Sequence, residues 1–267
     1  MPFPRKYLAL LVLFALIAGG LVWYITTRPA PEAETGEKPS ETLPQVVGPR
    51  KVSESTELYE VTREYPGETP LKASVGAQSD SKAIESMKIF EENTSTAFKE
   101  SVEQFGDAEK ERMRNAGLKA DLQIVYDTHA STRTISYVFK IFQDTLGAHP
   151  NTFFRTFTFD TKTGESLILA DLFTPGANYL ETLSTVARAK LPKIISTAQN
   201  IPVSDVDTEY IGDGTTPNED NFQNFYFEGS NLVILFPPYQ VGPYVLGIVT
   251  LPVPLAELKN ILETTYR

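Results

Sequence analysis

The 267-residue sequence contains no cysteine and only two histidines, His129 and His149. The first absence removes disulfides, thiolate zinc sites, thiol nucleophiles and the lipid-bearing cysteine of a lipoprotein, so stability must come from a packed core. The second leaves any zinc site to be completed by carboxylates, and the two imidazoles are not at metal-motif spacing; no metal or other cofactor is expected. Basic residues are in deficit, 24 against 34 acidic, for a net charge of -10. Nucleic acid and anionic lipid surfaces need basic patches, so both are disfavoured as partners and a cationic partner fits better. Neither a Gly-x-Ser-x-Gly elbow nor an Asp-x-Asp-x-Asp-Gly calcium pattern occurs, and no spacing meets a known catalytic motif. On those grounds the chain is expected not to be an enzyme. What remains, 41% hydrophobic and 22% charged residues, is ordinary globular composition.

One long apolar run stands out. Residues 7–25 are uncharged and mostly Leu, Ala, Val, Ile and Phe, with Trp23 and Tyr24 at the far end. That length suits a helix crossing ~30 Å of hydrocarbon, with an interfacial aromatic belt. A cleaved signal would end in a small-x-small site, whereas here Gly20 is followed by bulky Leu21, Val22, Trp23 and Tyr24. Arg5 and Lys6 precede the run and Glu32, Glu34, Glu37 and Glu41 follow it, which places the N-terminus in the cytoplasm and the remaining mass outside the plasma membrane. Prolines 29, 31, 39, 44 and 49 then interrupt a Glu-rich stretch that reads as a semi-extended tether.

Beyond the tether the hydrophobic period alternates between types. A strand over 58–64 ends near Pro66. Ala83, Met87, Phe90, Ala97, Phe98, Val102 and Phe105 form the apolar stripe of a long helix. Leu122, Ile124 and Tyr126, then Ile135, Tyr137, Phe139 and Ile141, alternate as an antiparallel strand pair. Residues 153–160 read as a further strand, 160–164 as a hairpin turn and 165–169 as its return. A second helix over 178–199 has Pro192 inside it, which predicts a kink or a split. The acidic segment 204–220 reads as a solvated loop. Strands over 225–227, 232–236 and 245–251 and a short helix ending near Leu262 complete an α+β fold of antiparallel sheets packed with helices.

Three stretches, 147–152 (Gly-Ala-His-Pro-Asn-Thr), 159–164 running on to 169–173, and 236–244 (Phe-Pro-Pro-Tyr-Gln-Val-Gly-Pro-Tyr) with Gly247, together resemble the RsiV-like family. That family forms the extracytoplasmic part of lysozyme-sensing anti-sigma factors and is also found fused to peptidoglycan deacetylase domains. The resemblance spans roughly residues 59–258, with a weaker match over 59–147 to the companion module that usually precedes that domain. It departs at Leu146, where the family often has glycine, and at Gly242 and Val245, where it often has alanine. The apolar run, its flanking charges and the tether divide the N-terminal part into a cytoplasmic tail at 1–6, a transmembrane helix at 7–26 and a linker at 27–52; the resemblance implies a companion module at 53–152 and an RsiV-like domain at 153–267. The six-residue tail is too short for a sigma-binding domain, and neither histidine sits in a deacetylase-like metal motif.

The resemblance and the local chemistry point to one candidate surface. Tyr239, Pro243 and Tyr244 offer rigid faces that stack on sugars or dock proteins at low entropic cost. His149, turned out of helical geometry by Pro150, and Asn151 beside it are the other candidate ligand contacts. The expected role is a membrane-anchored binding or sensing module for a cell-wall glycan or a wall-acting protein such as lysozyme. The alternatives are an envelope spacer that binds nothing and, less favoured, a glycan hydrolase using paired carboxylates.

Overall fold

A computed structural model describes residues 48–267, which belong to one compact unit, Thr42–Arg267. The expected tail, transmembrane helix and most of the linker lie outside these residues. Among the described residues no helix is long and apolar enough to cross a membrane.

The described residues open with strands β1 (Pro49–Ser55) and β2 (Tyr59–Pro66). Three helices follow: α1 (Leu71–Ser74), α2 (Ala77–Glu103) and α3 (Asp107–Ala116). Then come β3 (Ala120–Ala130), β4 (Thr134–Asp144), β5 (Asn151–Asp160) and the two-residue β6 (Ser166–Leu167). These six strands form one sheet in sequence order. All pairings are antiparallel except β2 with β3, which is parallel. The expectation of purely antiparallel sheets is corrected there: the chain leaves β2 through three helices and re-enters from the same end, as a parallel neighbour requires.

A 3₁₀ turn (Leu169–Leu172) leads to α4 (Tyr179–Gln199), one unbroken helix in which Pro192 is tolerated despite removing a backbone donor. The acidic stretch then folds into α5 (Thr208–Gly214) and α6 (Glu219–Phe222), where a plain loop was expected. Its polar side chains act as helix caps: Asp207 accepts from the Tyr210 N–H and Asn218 from the Asp220 N–H. Strands β7 (Phe225–Glu228), β8 (Asn231–Phe236) and β9 (Val249–Pro254) make a second, antiparallel sheet, followed by α7 (Leu255–Leu258). The last strand starts four residues later than the alternation suggested. Tyr244–Leu246 is a 3₁₀ turn that Gly247 ends at φ 63°, a left-handed conformation glycine adopts without strain.

The packing is in four layers. Ala83, Met87, Phe98 and Val102 of α2 cover Leu122, Ile124, Ile135, Tyr137, Phe139 and Ile141 on one face of the large sheet. Leu183, Ala187, Leu191 and Ile195 of α4 cover Phe225, Phe227, Leu232, Ile234, Leu251 and Val253 on the outer face of the small one. The two sheets meet back to back through Val138, Tyr226, Val233 and Leu235, with Phe154 at the margin. Thr134 to Phe139 are therefore buried on both faces of β4, as a strand enclosed between two layers must be. Each fully buried aliphatic or aromatic side chain contributes about 1.5–3 kcal/mol. Because β5 pairs with β4 from Asn151 to Asp160, the large sheet runs across the 152/153 boundary inferred from the sequence, and Pro49 to Val52 of the inferred linker are strand.

Candidate functional site

The turn between β4 and β5 and the segment between β8 and β9 converge and bring three of the singled-out rings together. His149 Nε2 lies 3.0 Å from the Tyr239 hydroxyl, and its ring stacks on Tyr244 with centroids 4.3 Å apart and planes at 26°. The Tyr239 and Tyr244 rings are 5.5 Å apart. His149 Nδ1 is 3.0 Å from the Pro150 carbonyl, which also accepts from the Tyr244 hydroxyl at 2.9 Å. A carbonyl only accepts, so Nδ1 carries the proton; in the neutral ring Nε2 is then the acceptor for the Tyr239 O–H. Each ring is held by the other two, with both histidine nitrogens engaged.

His149 and Tyr239 are exposed and Tyr244 is half-buried; Pro243 beside it and Asn151, the first residue of β5, are exposed. No hydrogen bond joins Asn151 or Pro243 to the three rings among the described residues. Val245 and Ile248 extend the apolar surface, Val245 at 76% exposure. Of the three non-glycine residues in the left-handed region among the described residues, two lie in these segments, Leu146 at φ 60° and Tyr239 at φ 71°. Such a residue carries a cost of order 1 kcal/mol and persists where surrounding contacts enforce it. Leu146 is also the position at which the RsiV-like pattern often has glycine.

Two residues that position this surface carry no local signal in the sequence. Gln240 Nε2 donates to the Gly214 carbonyl at 3.0 Å and to the Asn221 carbonyl at 2.9 Å, tying the 237–243 loop to α5 and α6. Gly214 packs so closely that a Cβ there would fall 1.6 Å from the Gln240 carbonyl oxygen. The acidic segment thus serves as the seat of the aromatic loop.

Other chemistry-bearing residues have structural roles. His129 on β3 stacks on Tyr226 of β7 at 3.8 Å, with Glu228 3.8 Å from its Nδ1. Burial lowers its pKa against the upward pull of Glu228 and Asp127. Ser136 faces His129 across the β3–β4 register, but it is wholly buried and its hydroxyl is bonded to that of Thr158 at 2.8 Å. Asp160 accepts from the Lys162 and Thr163 N–H groups at 2.7 and 3.0 Å, from Arg133 Nε at 2.7 Å and from the Tyr266 hydroxyl at 3.2 Å. Burial alone would raise its pKa; the bonds from Lys162, Arg133 and Thr163 outweigh that and hold it below the usual value. Tyr266 is pushed up to about 12 by burial and by the Asp160 charge.

Residues 170–256, a third of the chain, match the model of a family described as a protein of unknown function, DUF3298. The chain is 31% identical over 160 residues to the peptidoglycan-N-acetylmuramic acid deacetylase PdaC of Bacillus subtilis, an alignment covering 60% of this chain and 32% of that protein. It is 26% identical over 122 residues to the esterase Rv3036c of Mycobacterium tuberculosis, covering 45% of this chain and 49% of that one. The chain thus spans about a third and about half the length of these curated relatives. A crystal structure of a DUF3298 family member from Bacteroides fragilis superposes with a TM-score of 0.54 at 18% identity, over 82% of this chain and 93% of that one; the likeness is one of fold. Both curated relatives carry enzyme names, which overturns the expectation that the chain is not an enzyme.

Proposed function

We propose that this chain is a membrane-anchored module of the cell envelope, its folded part outside the cytoplasm, that binds an acylated wall glycan on the His149–Tyr239–Tyr244 surface with Asn151 and Pro243 at the rim. The observation that carries the reading is the interlock of the three rings, with Tyr239 Oη 3.0 Å from His149 Nε2 and Tyr244 stacked on the same imidazole. Rings already fixed in place lose little entropy on binding. Their faces suit the C–H side of a pyranose, while the two hydroxyls and the imidazole supply polar partners for hydroxyl and acetamido groups. The peptidoglycan named for one curated relative and the RsiV-like resemblance both support a wall ligand.

The enzyme names of the relatives favour a catalytic extension of this reading. Deacetylation and ester hydrolysis both transfer an acyl group to water, and both need a general base beside the scissile carbonyl. His149 is the exposed candidate: its Nε2 lone pair is held by the Tyr239 O–H, which a bound substrate or water would displace. The net charge of -10 also suits a basic wall-acting protein such as lysozyme as a second occupant of the same surface.

Co-sedimentation of the protein with purified wall polymer tests binding, and acetate release from acetylated wall fragments tests the catalytic extension. Wild type should sediment with the wall, and a His149→Gln variant should release no acetate if the imidazole is the base. Failure to sediment with the wall and to bind lysozyme would leave the spacer reading in its place.

A further inference from the structure

Among the described residues the outer edge of the large sheet is open along half of β5. The Asp160 N–H points to that side, since it donates to the Glu165 carbonyl at 2.9 Å. By the two-residue period of a strand, the backbone groups of Thr158, Thr156, Phe154 and Thr152 point the same way. β6 pairs only with Thr158 and Phe159. Among the described residues no strand lies beyond Thr152–Phe157, and no hydrogen bond reaches the Thr156, Phe154 or Thr152 backbone from that side.

The opposite edge is handled differently. β1 reads Pro-Arg-Lys-Val-Ser-Glu-Ser and is exposed throughout, the proline and mixed charges blunting it as a template for pairing. β5 reads Asn-Thr-Phe-Phe-Arg-Thr-Phe up to residue 157, with Phe153 36% exposed. It carries one charge and no proline.

A groove of about 1110 Å³ lies at this edge, lined by β6 and its flanking residues 163–171 and reaching Arg155, Thr156 and Phe157 of the open part of β5. Ser79, Lys82 and Ser86 of α2 form one wall, Asp220 and Gln223 the other, and residues 155–159 of β5 the floor. The lining holds four carboxylates, Glu165, Asp171, Glu219 and Asp220, against Lys82 and Arg155.

We propose that this groove receives an extended, basic peptide segment of a partner protein, added to the sheet as a strand beside β5. The open backbone donors and acceptors select a polypeptide, and the acidic excess of the lining selects its charge. A second copy of this chain would have to bring its own walled β5 edge into the groove, which the same walls obstruct. This surface is separate from the His149–Tyr239–Tyr244 cluster, none of whose residues lines the groove.

The test uses the full chain in detergent micelles and a fluorescent octapeptide, Lys-Val-Lys-Thr-Lys-Val-Lys-Thr, read by anisotropy. Two analogues carry backbone N-methyl groups at the odd or at the even positions. Strand addition predicts that one pattern weakens binding by at least about tenfold while the other is tolerated, because only alternate N–H groups face β5. Charge reversal by Glu165→Lys with Asp220→Lys, both exposed, should weaken the parent peptide by roughly tenfold through lost attraction. Equal effects of the two methylation patterns, no binding of the parent peptide at about 1 mM, or its displacement by soluble wall fragments would each overturn the proposal.

Discussion

Replacing Asp160 by Asn removes one charge from a site that ties three parts of the chain together. The carboxylate joins the β5–β6 turn through the Lys162 and Thr163 N–H groups, the β3–β4 turn through Arg133, and the C-terminal segment through Tyr266. It is only 3% exposed, so water screens it little. An asparagine oxygen can keep the two turn N–H groups, now as neutral hydrogen bonds. Its amide nitrogen then faces Arg133 Nε–H, donor against donor, and a charge-assisted hydrogen bond of about 1.5–3 kcal/mol is lost. With the weakening of the two turn bonds the cost is about 2–4 kcal/mol at neutral pH. The pH dependence carries a second signature. The folded-state pKa of Asp160 is lowered, so its contribution is fully present above the unfolded value of ~3.9 and is lost as pH falls through the folded value. Urea unfolding of residues 48–267 from neutral to acid pH should therefore show the gap between wild type and Asp160→Asn closing as the solution is acidified. A difference below about 0.5 kcal/mol at neutral pH, or a gap that does not change with pH, would refute the role assigned to this carboxylate.

Phe139 is fully buried, with the rings of Phe90, Phe157 and Tyr126 at 5.8, 5.6 and 5.4 Å, so Phe139→Ala should cost about 3–5 kcal/mol in urea unfolding; a loss under about 1 kcal/mol would show that the site collapses to fill the space. Gly214→Ala places a methyl group against the Gln240 carbonyl and should displace the 237–243 loop, shifting the imidazole NMR signals of His149 while those of His129 stay in place; unchanged His149 signals would contradict the seating of that loop. The charge bias around residues 7–25 predicts that protease added to intact spheroplasts degrades the C-terminal mass, and full protection would sink that topology.

The parts of the fold legible in the sequence are those whose side chains alternate or recur because one face is buried. The alternation of Leu122, Ile124 and Tyr126 and that of Ile135 to Ile141 mark β3 and β4, which pair antiparallel, and the Met87–Phe98–Val102 stripe marks α2. The 160–164 turn could be read because Asp160 and Gly164 are turn residues whose local bonds the structure contains. By contrast β1 has no buried face and is held by pairing to β2 from Pro49↔Pro66 to Ser55↔Glu60, which leaves no periodic trace. The parallel β2–β3 pairing depends on where the intervening helices return the chain. At the site, the turn at His149 and the loop at 236–244 were each conspicuous, but their meeting depends on tertiary packing. The Gly214–Gln240 contact, long-range and backbone-mediated, had no signal to read.

The proposed function requires His149, Tyr239 and Tyr244 to act as a preorganised surface for an acylated wall glycan. Calorimetric titration of the wild-type protein and of a Tyr239→Ala/Tyr244→Ala variant with soluble N-acetylated wall fragments tests it most directly. Wild type should bind, and the folded variant should lose roughly 1–4 kcal/mol, as expected when both rings are interface anchors. Absence of wild-type binding at about millimolar fragment, where even −4 kcal/mol would register, or equal affinity in the two proteins, would contradict it.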